Sequence, residues 1–211
     1  MSDIALNFIN NSNDSNNSQV VIFQKNAAPS LVATQEIAVA WQAIPLNAPQ
    51  KSHSFKVTDN FQVSVSDSFG NHTQRMTAQV GNRFDMISTP SGNKLVLNTE
   101  NPATSHEVEV CNELPLGSIG VHVYKDGKLL ATKTGVAPGQ QADFFFTPVL
   151  HVILGQQIVE GQVMNITPLS NADTQISLAG ISSADLVLTG GGSGTSAVPY
   201  KFTLENVVKN S

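Results

Sequence analysis

In 211 residues the chain has one cysteine (Cys111), one tryptophan (Trp41) and two arginines (Arg75 and Arg83). A lone thiol allows no intrachain disulfide. The nine lysines are scattered, and the net charge is -5. No basic cluster exists to neutralise phosphates, which excludes a nucleic-acid-binding surface and weakens any attraction to anionic lipid. Charged residues make up 13% of the chain, about half the usual ~25%, so Asn, Ser, Thr and Gln must supply most of the polar surface. No apolar run approaches the roughly 18 residues of a spanning helix. The start of the chain lacks a basic region followed by an apolar core, so the expected location is the cytoplasm, or outside the cell by a route without a cleaved N-terminal signal. Helical periodicity is absent over three turns; a short helix over Gln35 to Ala43 is the best exception.

What is present is alternation. Ile4, Leu6 and Phe8 alternate with polar or small residues, as a half-buried strand does. Val20 to Phe23 is apolar on both faces and reads as a central strand. Phe55 to Val65 predicts a hairpin, or one long strand with a bulge, around Thr58-Asp59-Asn60. In Gly120 to Lys133, Val121 and Val123 alternate with polar neighbours, and Asp126-Gly127 supplies a two-residue turn whose residues both need positive φ. Further strands are expected at 76–80, 84–86, 95–97, 108–110, 149–154 (led into by Phe144 to Phe146), 158–163, 176–178, 186–188 and 200–204. About a dozen short strands with frequent turns point to an all-β antiparallel sandwich. The chain reads as one β-rich domain, 1–211. A weak internal echo runs through it: Ile4 to Lys25 against Val108 to Lys125, and His53 to Val65 against Ala142 to Ile153. That echo suggests pseudo-repeats 1–100 and 106–211, two similar β-units packed together, with 101–105 as connector.

Asn11-Ser12, Val20-Val21-Ile22-Phe23-Gln24, Ile37-Ala38-Val39-Ala40-Trp41 and the Phe55 to Val65 strands occur in an order that resembles the rhizosphere-induced proteins of plant-associated bacteria. The resemblance covers roughly the first 70 residues. It implies a soluble bacterial protein made under social or host-associated conditions, and carries over no catalytic residue.

Catalytic chemistry finds no foothold. The five histidines are His53, His72, His106, His122 and His151, and no two lie within 15 residues of each other, unlike the close pairs of zinc sites. His122 should face opposite Val121 and Val123. Gly190 to Ser196 lacks the lysine of a phosphate loop and reads as a flexible surface loop. Cys111 has strand rhythm and the setting of a buried small hydrophobe. Asn13-Asp14, Asp59-Asn60 and Asp67 with Asn71 offer oxygen ligands for Ca²⁺, though none matches the D-x-[DN]-x-[DN]-G loop. No cofactor and no metal is expected, and the chain reads as a non-enzyme.

The function expected is binding: recognition of a glycan or partner protein through loops at the sandwich ends. The loop residues Asn13, Asp14, Asn16, Asp67 and Asn71 would supply hydrogen bonds, and Trp41 a stacking face. The alternative is a self-assembling or membrane-acting protein, a homo-oligomer or β-pore. There the alternating Ser/Thr/Gly-rich stretch Gly161 to Pro199 would pair edge to edge or line a pore.

Overall fold

A computed structural model of the chain describes residues 3–14, 17–28, 37–47, 52–165 and 173–210. Eighteen strands form there, with one short 3₁₀ turn at Gly194–Ser196. The chain divides into two compact units. Unit 1 is Met1–Gln24, Ala40–Asp59 and Pro148–Ser211; unit 2 is Lys25–Val39 and Asn60–Thr147.

Unit 1 holds β1 (Ile4–Asn10), β2 (Gln19–Phe23), β4 (Gln42–Pro45), β5 (Ser52–Val57), β14 (Val149–Gly155), β15 (Val163–Asn165), β16 (Thr174–Ser177), β17 (Ile181–Gly191) and β18 (Val198–Lys209). Its sheets have the orders β18-β17-β1-β5 and β16-β14-β2-β4. Ile4, Leu6 and Phe8 on β1 and Ala184, Leu186 and Leu188 on β17 point inward, while β2, an inner strand, is buried from Val20 to Phe23. Trp41 lies fully inside this core, edge-on to Phe55 at 6.1 Å.

Unit 2 holds β3 (Ile37–Val39), β6 (Phe61–Ser66), β7 (Met76–Ala78), β8 (Arg83–Thr89), β9 (Gly92–Asn98), β10 (Val108–Asn112), β11 (Ile119–Lys125), β12 (Lys128–Val136) and β13 (Gln141–Phe144). Its sheets run β13-β10-β8-β9 and β12-β11-β6-β7. Val63, Val65, Val121, Val123, Phe84, Val110, Leu130 and Phe144 fill the inside. The β11–β12 hairpin closes on Asp126 (φ 52) and Gly127 (φ 79), the turn with two positive φ angles that Asp-Gly favours.

The two units share one wiring. In unit 1, β1 runs parallel to β17 and antiparallel to β5, β17 pairs β18, β2 pairs β14 and β4, and β14 pairs β16. In unit 2, β10 runs parallel to β8 and antiparallel to β13, β8 pairs β9, β11 pairs β6 and β12, and β6 pairs β7. Every pairing of one unit therefore has its counterpart in the other. β1, β2, β4 and β5 match β10 to β13 in order, and β14, β16, β17 and β18 match β6 to β9. Each unit thus takes four of these strands from the first half of the chain and four from the second. Strands β5 and β6 are separated only by residues 58–60 and belong to different units. They form neither a hairpin nor one bulged strand, since β5 pairs β1 while β6 pairs β11 and β7.

One residue repeats its role in both units. Asn10 ends β1; its carbonyl accepts the Ser12 N–H at 3.0 Å and its amide donates to the Leu46 carbonyl at 3.1 Å. Asn112 ends β10; its carbonyl accepts the Leu114 N–H at 3.1 Å and its amide donates to the Val136 carbonyl at 2.8 Å and the Gly117 carbonyl at 2.9 Å. In both, an Asn side chain ties the loop leaving the first strand to the end of the third.

Three other expectations are corrected. The described part of Gln35 to Ala43 is β3 followed by the start of β4, because Val39 to Trp41 is buried too fully for one helical face. Residues 158–162 form a turn, with Gln157 and Gly161 at positive φ, and only Val163–Asn165 is strand. Gly190 and Gly191 belong to β17: a Cβ on Gly190 would stand 2.2 Å from the Pro199 carbonyl oxygen. That glycine run serves close backbone approach. Residues 29–36 of the expected loop after Asn26 lie outside the described residues, as do 166–172. The expected connector, 101–105, lies within unit 2.

Asn112 is fully buried and Asn10 half-buried. Asn112→Ala should therefore cost about 2–3 kcal/mol, since it strands a buried N–H and carbonyl, and Asn10→Ala about 1 kcal/mol. Urea unfolding measures both, and equal losses would show that burial does not set the difference.

Candidate functional site

The outer face of the β18-β17-β1-β5 sheet carries a polar row. Alternation puts Asn7 outward while Leu6 and Phe8 point in. Across β1, Asn7 stands opposite Ser54 on β5 and Asp185 on β17. The Ser54 hydroxyl donates to Asn7 Oδ1 at 3.1 Å, and the Asn7 amide donates to Asp185 Oδ1 at 3.2 Å. From the other side Asn206 donates to Asp185 Oδ2 at 2.7 Å. Asn206 reaches inward because β18 is bulged there. Two steps on β17, Ser183 to Asp185, face three on β18, Val208 to Glu205, and Asn206 adopts φ 49. A bulge re-aims a side chain in this way. The row lines an open groove of about 520 Å³ with Ala5, Lys56 and Ser183.

The matching face of unit 2 is built differently. The pair Asn7–Asp185 corresponds to Glu109–Arg83, and Ser54 to Asp143. Arg83 reaches Asp85 at 3.0 Å, Glu109 at 3.3 Å and Glu113 at 3.3 Å. Asn98 donates to Asp85 at 2.6 Å, and the Cys111 thiol donates to Glu109 at 3.2 Å. The hydrogen bond that Arg83 donates to Asp85 raises the Arg83 pKa further. Burial, then the bond to Glu109, pushes the Cys111 thiol up to about 12, and burial raises Asp143. One cation among carboxylates thus holds the place that one carboxylate among amides holds in unit 1.

The described residues singled out in the sequence are divided between the units, with Asn13, Asp14 and Trp41 in unit 1 and Asp67 and Asn71 in unit 2. Asp67 and Asn71 do come together, but on each other. Asp67 Oδ1 accepts the N–H groups of Phe69 and Asn71 at 2.9 Å, and Oδ2 accepts the Asn71 amide at 2.9 Å. These bonds, that of the Asn71 side chain first, hold the Asp67 carboxyl below its usual range. Asp14 accepts from the Ser18 hydroxyl at 2.8 Å, the Ser18 N–H at 3.1 Å and the Tyr200 hydroxyl at 2.6 Å. The backbone of Asn13 pairs with Gly190 and Gly192 at 2.8 and 3.0 Å. Their carboxylate oxygens already face hydrogen-bond donors, which argues against Ca²⁺ at either loop. Asn16 lies outside the described residues. Trp41 is a core residue with no exposed face, so it stacks on no ligand. The sequence does not show that Asn7, Ser54, Asp185 and Asn206 form a set, because nothing in one strand reveals its neighbours. The one local signal was the outward position of Asn7 between Leu6 and Phe8.

No family model matches the chain, and no match is found among curated proteins or among solved structures. The resemblance of roughly the first 70 residues therefore rests on its motifs alone.

The Asp14–Tyr200 bond ties the 10–18 loop to β18 and, before burial, is the main reason the Tyr200 pKa rises to about 12. An unfolded tyrosine titrates near 10. The bond's stabilisation is therefore complete below pH 10 and is lost as pH climbs from 10 to 12, because the unfolded chain gives up its proton first. Tyr200→Phe should cost about 1 kcal/mol at pH 7, and the difference from wild type should vanish by pH 12. Denaturant melts across that range test this; a constant difference would remove the latch.

Proposed function

We propose that unit 1 is a non-enzymatic binding module for a polyhydroxylated ligand, a glycan chain, seated along the groove on its outer sheet face. The observation that carries the reading is the row Ser54–Asn7–Asp185–Asn206 along an open groove. The row crosses four strands, roughly 14 Å at strand spacing. It alternates donors and acceptors, and a carboxylate keeps acceptor sites beyond its two amide donors. Sugar hydroxyls both donate and accept, which suits such a row. Lys56 and Asp185 offset each other in charge, which favours a neutral ligand. The side chains are already held by one another, so little ordering entropy is lost on binding.

This moves recognition from the sandwich-end loops, where Asp14 and Asp67 are engaged internally, to a sheet face. A screen of neutral immobilised glycans, followed by titration of a hit, tests it. Asp185→Ala and Lys56→Ala should each weaken binding at least tenfold (about 1.4 kcal/mol). Lys56 is exposed, so its variant leaves the fold intact. Absence of saturable binding, or wild-type affinity in both variants, would refute the reading.

One observation favours the alternative of self-assembly. β18 is a 12-residue edge strand with Val198, Val207 and Val208 exposed at 60, 42 and 54% respectively. Pro199, Lys201, Glu205 and Lys209 interrupt that edge, and proline and charges of this sort protect edges against pairing. No helix among the described residues is long and apolar enough to cross a membrane. Light scattering should give a mass independent of concentration. A mass that grows with concentration, and stops growing in Val207→Lys, would replace the binding reading with assembly.

A further inference from the structure

The outer face of the β12-β11-β6-β7 sheet holds a second cluster, independent of the groove. Val121 and Val123 point inward, so His122 points out. Its Nε2 lies 3.0 Å from the Ser66 hydroxyl on β6, and its Nδ1 lies 3.0 Å from the Thr132 hydroxyl on β12. His72 is bridged to Ser66 through the backbone, and its ring centroid stands 5.0 Å from that of His122, tilted by 40°. Gly120, opposite Ser66, leaves the notch in which these groups meet. A Cβ there would stand 2.6 Å from Ser66 Oγ and 3.4 Å from His122 Nε2.

We propose that His72 and His122, with the Ser66 hydroxyl between them, form a binding site for a divalent transition-metal ion of the Zn²⁺ or Cu²⁺ class. Two arguments carry it. The first is ligand orientation. The Thr132 hydroxyl has one proton, and it donates to the Val121 carbonyl at 3.2 Å. Its oxygen therefore accepts Nδ1–H of His122, which leaves the Nε2 lone pair aimed at Ser66 and the His72 side. A metal-binding histidine is oriented by such an outer hydrogen bond through its other nitrogen. The second is ligand type. Two imidazoles and a hydroxyl, with water completing the shell, suit Zn²⁺, Cu²⁺ or Ni²⁺ rather than Ca²⁺ or Mg²⁺.

The competing cluster among the described residues is Asp85, Cys111 and Glu113, whose ligand atoms lie within 4.8 Å of one another. It is the weaker candidate. The Arg83 guanidinium already pairs with both carboxylates, and the Cys111 thiol is engaged by Glu109.

Calorimetric titration of the intact chain with ZnCl₂ at pH 7.5 separates the two, with copper EPR to count nitrogen donors. One saturable equivalent is expected, with two nitrogens in the copper spectrum. His72→Ala, at an exposed position, should weaken binding at least tenfold. Thr132→Val should weaken it roughly tenfold through His122 alone. Cys111→Ser should leave it unchanged. No saturable binding, undiminished binding in His72→Ala, or loss in Cys111→Ser would each overturn the proposal. None of these outcomes bears on the groove of unit 1.

Discussion

Two parallel strand pairings, β1 with β17 and β10 with β8, hold the architecture together. Each joins a strand from one half of the chain to a strand from the other. Neither four-stranded sheet containing them exists without that meeting, and the second sheet of each unit depends equally on β2 finding β14 or β11 finding β6. The constraint is one of chain topology. Loop-closure entropy rises only slowly with length, so remote partners cost little more stability than near ones. They do slow folding, because distant contacts must form before they are rewarded. Tight latches at the strand ends, Asn10 and Asn112, compensate by removing freedom from the loops that follow the first strand of each set.

With one wiring used twice, the units differ where packing leaves room to differ. Inward positions keep their character: Leu6 and Phe8 match Val108 and Val110, Phe55 matches Phe144, Leu186 matches Phe84. Outward positions diverge in charge and length. Asn7 becomes Glu109, Ser54 becomes Asp143, and Asp185 becomes Arg83. The short side chains of unit 1 border an open groove, whereas on the matching face of unit 2 long ones join in ion pairs. A core tolerates exchange among apolar residues while its total volume and pattern are kept, so equivalent faces are free to diverge in polarity only along the solvent-facing row.

Alternation made most strands legible, because a half-buried strand writes its two faces in a period of two. The Asp126–Gly127 hairpin was legible for the same local reason. So was the outward direction of His122, fixed by its two valine neighbours. The faint echo between Ile4–Lys25 and Val108–Lys125 falls on β1–β2 and β10–β11, strands with equivalent partners. What stayed hidden was pairing at a distance. Phe55 and Val65 look like one hairpin because a three-residue gap with Asp and Asn resembles a turn, and only the partners of β5 and β6 show otherwise. The Gly190–Gly191 run resembles a flexible loop by composition, yet its glycines are demanded by the Pro199 backbone lying against them. His72 and His122, and likewise Asn7 and Asp185, are brought together by strand register, which no spacing rule along one chain records.

The polar loops and the polar sheet face use the same short side chains in different ways. A surface poor in charge and rich in Asn, Ser and Asp suggested loops offering hydrogen bonds outward. Asp14 instead receives Ser18 and Tyr200, and Asp67 receives Asn71 and two backbone N–H groups. Short polar side chains at strand ends find the nearest unpaired backbone group first, because it is close and needs no ordering of a partner. Such loops stabilise themselves and have less left to offer. On a sheet face the backbone is already paired with neighbouring strands, so outward polar side chains have only one another and solvent. Ser54, Asn7, Asp185 and Asn206 hold each other in place and still turn donors and acceptors to water, which is the condition a preformed binding surface needs.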